Sequence, residues 1–74
     1  MCLAVPGRIE SIEGETAVVD IVGNRVRAMR ALVPEAKVGD WVLVHAGLAV
    51  TVMSEEEARE TLDLMQEKYS IEDA

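Results

Sequence analysis

Thr16-Ala17-Val18-Val19-Asp20-Ile21-Val22-Gly23-Asn24-Arg25-Val26-Arg27-Ala28 is the stretch whose reading decides the fold. Residues 16–22 are rich in valine and isoleucine, with Asp20 interrupting, and such β-branched runs fit a pleated, half-buried strand. Gly23 and Asn24 both tolerate positive φ, so they are expected to form a two-residue hairpin turn. Beyond them Arg25 and Arg27 alternate with Val26 and Ala28. That period of two puts one face in water and the other against a core, and predicts a strand over residues 25–32.

Outward from this hairpin the pattern repeats. Residues 7–12 read as a strand after Pro6, and Glu13-Gly14-Glu15 as a turn. Val33 to Asp40 contains Pro34 and Gly39 and reads as a loop. Trp41 to His45 and Leu48 to Met53 supply two more strands. Five short strands with hairpin turns predict a mainly β fold, a small OB-like five-stranded barrel with a C-terminal α-helix; the pattern alone also fits an SH3-like barrel. After Met53 the period changes. Ser54 and Glu57 form a capping box, Glu55 to Glu57 suit the positive end of a helix dipole, and Ala58, Leu62, Met65 and Tyr69 recur at helical spacing. The helix is expected over residues 55–69. The organisation is one domain, 1–74: a barrel over 1–53, the helical segment over 54–69 and a frayed tail over 70–74.

Composition narrows the function. The 74 residues are 50% hydrophobic, so the chain can build a core, but a core this small leaves little room for an enclosed enzyme pocket. The net charge of −7 sits almost wholly in the C-terminal segment: residues 1–53 hold six acids and five bases, residues 54–74 eight and two. Such a chain has no general attraction for nucleic acid or for anionic membranes. No basic leader or long apolar run is visible, and a reducing cytoplasm is the expected location, where the lone cysteine stays a thiol.

That cysteine is Cys2. Removal of Met1 would leave its thiol and a free α-amine on one carbon skeleton, where they can chelate a metal together. A soft thiolate suits iron, copper(I) or zinc. The competing reading is a small hydrophobe. His45 is the only histidine, and strand alternation sets it on one face with Trp41 and Leu43, opposite Val42 and Val44. A neutral imidazole binds iron and moves protons, although a structural histidine bonded to a carbonyl is the alternative. One Cys and one His do not complete a metal site, and Asp40 has no ligand-like spacing to either. A metal held here would be shared with another protein, which favours a carrier over a metalloenzyme. Catalytic motifs of the GxxxxGK[ST], GxGxxG and HExxH types are absent. Arg25, Arg27 and Arg30 read as a solvated strand face, and Met29, Met53 and Met65 as core filler.

The opening Met1-Cys2-Leu3-Ala4-Val5-Pro6-Gly7-Arg8-Ile9 resembles the N-terminal signature of the HypC/HupF family, and Val38-Gly39-Asp40-Trp41-Val42-Leu43-Val44-His45-Ala46-Gly47 is similar to that family's Gly-Asp-aromatic-Val-Leu-Val-His-x-Gly segment. Leu32-Val33-Pro34 and the acidic helix agree. Leu48 stands where the family often has Phe. The resemblance implies an OB-like barrel and a non-enzymatic chaperone of [NiFe]-hydrogenase maturation. It implies a HypD-type scaffold protein and the hydrogenase large-subunit precursor as partners, and iron as Fe(CN)2CO as a transient cargo shared with a partner. It maps metal contacts onto Cys2 and His45, and partner contacts onto Cys2, Leu3, Pro6, Gly7 and Arg8. The other function class is an OB-type nucleic-acid module, which calls for stacking aromatics and a basic groove, whereas Trp41 and Tyr69 are the only aromatics.

Overall fold

The computed structural model describes residues 4–69, with side-chain environments through Met65. Five strands and one helix follow in order: β1 Val5–Glu13, β2 Thr16–Ile21, β3 Asn24–Met29, β4 Trp41–His45, β5 Leu48–Met53 and α1 Glu55–Tyr69. The strands close in the order β1-β2-β3-β5-β4, with β3 and β5 parallel and every other pairing antiparallel. This is the OB-like order.

β1 is long because it serves two neighbours. Val5 to Arg8 pair with β4, and from Arg8 onward the strand pairs with β2. It therefore starts at Val5, two residues before the sequence expectation. Pro6 lies in the part paired with β4 alone, where its missing N–H leaves the β2 side of the ladder intact. Register shifts at Glu10 and at Val50 let the strands bend enough to close.

The β2–β3 turn falls one residue earlier than expected. Ile21 pairs with Asn24, so Val22 and Gly23 make the turn, with φ of 49° and 88°. A β-branched residue in the left-handed region is unfavourable by roughly 1–2 kcal/mol. The register that imposes it buries Val19 against Val26 and sets Asp20 opposite Arg25, so tertiary pairing overrides the local turn preference.

β3 ends at Met29 and not at Leu32, because the chain turns at Arg30. The Arg30 amide donates to Glu15 O, and the Val33 amide to Arg30 O. The Arg30 guanidinium donates to the carbonyls of Gly14, Pro34 and Ala36, which ties the loop to the barrel. Arg30 is thus a loop clamp and not part of a solvated face. The loop returns Val33 and Ala36 to the core, beside Ile9, Ala17, Val19, Ala28, Val42, Val44 and Ala49.

Ser54 and Glu57 form the reciprocal capping box, each backbone amide donating to the other's side chain at 3.0 Å. A cap of this kind is worth about 0.5–2 kcal/mol. α1 lies on β1 and β4. Ala58 is fully buried, and Leu62 and Met65 are half-buried on the same stripe. The side chain of Tyr69 and the tail over 70–74 lie outside the described residues.

Candidate functional site

β4 carries the central histidine. Val42 and Val44 face the core, Trp41 and Leu43 are half-buried on the other face, and His45 is exposed at the strand end. The chain reverses immediately afterwards through Ala46 and Gly47, with φ of 55° and 78°, so that His45 pairs with Leu48. Ala46 is one of two non-glycine residues at positive φ among the described residues. Local strain of this kind persists where the surroundings impose it, here directly beside the imidazole. Among the described residues the His45 side chain makes no hydrogen bond, so the reading of a histidine tied to a carbonyl gains no support.

The register of β1 against β4 sets what lies beside it. Val5 pairs with Val44, the residue before His45, so the N-terminal end of β1 and the imidazole share one end of the barrel. Cys2 and Leu3 lie outside the described residues. In the chain, Cys2 comes three residues before Val5. Pro6 and Gly7 are buried in β1, so neither offers side-chain surface to a partner. Arg8 is exposed and sits opposite Trp41, at the other end of β4 from His45. Of the expected docking residues that are described, Arg8 alone is exposed.

The Trp41 end is grooved. One cavity of about 400 Å³ is lined by Arg8, Asp40, Trp41, Ser54, Glu55 and Arg59, and another of about 330 Å³ by Asp20, Val22, Trp41, Arg59, Leu62 and Asp63. Arg59 is held to Glu55 at 2.6 Å. Asp40 accepts a hydrogen bond from the Lys37 amide at 3.0 Å, which fixes the loop before β4. No group of three metal-ligating side chains forms among the described residues.

Two apolar residues in line with His45 across the sheet are exposed. Met29 and Leu48 pair across β3 and β5, Leu48 pairs in turn with His45, and the two are 45% and 38% exposed. Met29 is therefore not core filler. The signal was its place in strand alternation, outward with Arg25 and Arg27.

Comparison with known proteins bears on this arrangement. A family model described as the HupF/HypC family matches residues 1–65. A protein named hydrogenase maturation factor HypC from Escherichia coli (strain K12) is 42% identical over 78 residues, covering 97% of this chain and 87% of its own length. One of the same name from Azotobacter chroococcum is 40% identical, covering 100% of this chain and 89% of its own length. A third, from Synechocystis, is 43% identical over 84% of this chain and 90% of its own length.

Proposed function

The chain belongs to the HupF/HypC family, and from that premise we propose that it is a non-enzymatic hydrogenase maturation chaperone. With a HypD-type scaffold protein it carries the Fe(CN)2CO unit and delivers it to the precursor of a [NiFe]-hydrogenase large subunit. The observation that carries this reading is the exposed His45 imidazole, at the barrel end where β1 begins, the strand that Cys2 precedes by three residues in the chain.

The donor set fits a cargo better than a resident metal. Thiolate and imidazole suit iron, and two such donors leave a site open where a closed structural site takes four. Cyanide, carbonyl and a partner's side chains complete the iron while it is in transit. An open site also lets the cargo leave. The work of this chain is positional: β4 and the Ala46-Gly47 turn set His45 at the barrel end where β1 begins, and in the chain Cys2 comes three residues before that strand. His45 then serves as a ligand or as a proton acceptor at a ring nitrogen. Handover takes place in the cytoplasm, where the thiol stays reduced. No helix among the described residues is long and apolar enough to cross a membrane.

An OB-type nucleic-acid module is the weaker reading. Trp41 is half-buried, and a net charge of −7 opposes a phosphate backbone.

The test is to purify the tag-free chain together with its partners from cells making hydrogenase. Iron should co-purify, and infrared spectra should carry cyanide and carbonyl bands. A partner complex without iron or those bands would refute the cargo. The same preparation tests His45. His45→Gln keeps a hydrogen-bonding side chain but no ring nitrogen, and maturation should fall about ten-fold, in the range lost when a metal-orienting contact goes. Circular dichroism should show an unchanged fold. Wild-type maturation with Gln would remove His45 from the site, while His45→Ala should cost less than loss of Cys2.

A further inference from the structure

The outer edge of β3 is a separate surface. β3 pairs with β2 along its length but meets β5 at a single register position, Met29 opposite Leu48. In an antiparallel pair, successive residues turn their N–H and C=O groups alternately toward and away from the partner strand. The Met29 amide points away from β2, since it donates to Gly47 O at 2.9 Å. The β2–β3 register runs unbroken from Asn24 to Met29, so the amides and carbonyls of Arg27 and Arg25 point away from β2 as well. β5 does not cover them. It runs parallel to β3 and starts at the Met29 position, so its remaining residues continue past the end of β3 while Asn24 to Ala28 lie behind.

The side chains along this edge are also uncovered. Val26 is opposite Val19 on the inward side, yet Val19 is 0% exposed and Val26 37%. On the outward side stand Arg25 and Arg27. Arg25 holds Glu10 at 2.6 Å, and that hydrogen bond, then the charge of Glu10, raises its pKa above the ordinary value. Arg27 is exposed and has no ion-pair partner among the described residues. Glu10 and Asp20 flank Arg25, so Arg27 is the cation that this edge leaves open to a partner's carboxylate.

We propose that the Asn24–Ala28 edge of β3 receives an extended segment of a partner protein, one that alternates acidic and apolar residues, as an added antiparallel strand. Its backbone bonds to Arg25 and Arg27, an apolar side chain covers Val26, and carboxylates lie beside the guanidinium groups. Bare donors and acceptors at two-residue spacing call for a strand, and Arg27, without an ion-pair partner among the described residues, selects an acidic residue. The site is independent of the iron reading, because neither Cys2 nor His45 takes part.

The probe is a synthetic capped peptide alternating Glu and Val, titrated into the ¹⁵N-labelled full chain. In the antiparallel pairing a Glu directly opposite Arg27 exchanges both backbone bonds with it. N-methylation of the Val residues should therefore leave binding intact, and N-methylation of the Glu residues should weaken it at least about ten-fold. Arg25 and Arg27 amides should shift and their hydrogen exchange should slow. A Lys–Val peptide, and the Arg27→Glu variant with the Glu–Val peptide, should each bind about ten-fold more weakly. Arg27 is exposed, so a thermal melt should show that variant folded. The proposal is overturned by unperturbed Arg25 and Arg27 amides, by equal binding of the two methylated peptides, or by equal binding of the Lys–Val peptide. It is also overturned if these amides are protected only by self-association of the chain that the peptide does not displace, since the arginines would then bound a self-pairing edge.

Discussion

Cys2→Ala is expected to reduce hydrogenase activity to the level of cells that lack this chain, while the barrel melts as the wild type does. The two halves of that expectation rest on different facts. Among the described residues the buried core runs from Ile9 to Ala49. A terminal residue contributes little to a barrel core, so loss of one sulfur is expected to leave the fold intact. In the proposed carrier, by contrast, Cys2 is the only thiolate that the chain can offer to iron. Serine would not replace it, because a hard hydroxyl is a poor ligand for the metals that favour thiolate. The measurement is hydrogenase activity in cells whose only copy is the variant, beside a denaturation curve of the purified protein. Full activity would end the assignment of Cys2. Lost activity together with lost structure would move it from chemistry to folding. A short extension ahead of residue 2 should also impair maturation, since it removes the free amine and crowds the thiol.

The sequence was most legible where local chemistry and tertiary pairing agree. β4, β5 and α1 have the expected bounds, because alternation, Gly47 and the Ser54–Glu57 capping box specify them locally. It was least legible where a distant strand decides. The Val22-Gly23 turn is set by pairing that places a valine at positive φ, against its own preference. β1 gains Val5 and Pro6 only through β4, some forty residues away in the chain. The outward place of Met29 follows from alternation with Arg25 and Arg27, but its meeting with Leu48 depends on β5. For the site, His45 at the exposed end of β4 followed from alternation. Its closeness to the start of β1 did not, because it depends on the β1–β4 register.

Gly7→Ala should be the most damaging single-methyl change to the fold. Gly7 belongs to the signature stretch, and its buried place in β1 gives it a packing role that can be separated from docking. Its φ is not in the left-handed region, so space and not backbone conformation requires the glycine. A Cβ there would overlap Val19 Cγ1, lie 2.8 Å from Ile21 Cγ1 and 3.3 Å from Asp20 O. Val19 is fully buried and β-branched, so it has few rotamers in which to retreat. Overpacking of this kind costs about 1–3 kcal/mol and at times more. A domain of this length has on the order of 4–11 kcal/mol in all, from roughly 0.05–0.15 kcal/mol per residue. The urea midpoint of Gly7→Ala should fall accordingly, with partial unfolding at 37 °C. Val19→Ala removes the obstructing methyl, so the double variant should be less destabilised than the two single changes added together, by about 0.5–3 kcal/mol of coupling. A wild-type midpoint for Gly7→Ala, together with weakened partner binding, would instead make Gly7 a docking residue. Lost stability recovered through Val19→Ala would identify it as the point where β1 and β2 pack most closely, and leave docking to the exposed residues at either end of β4.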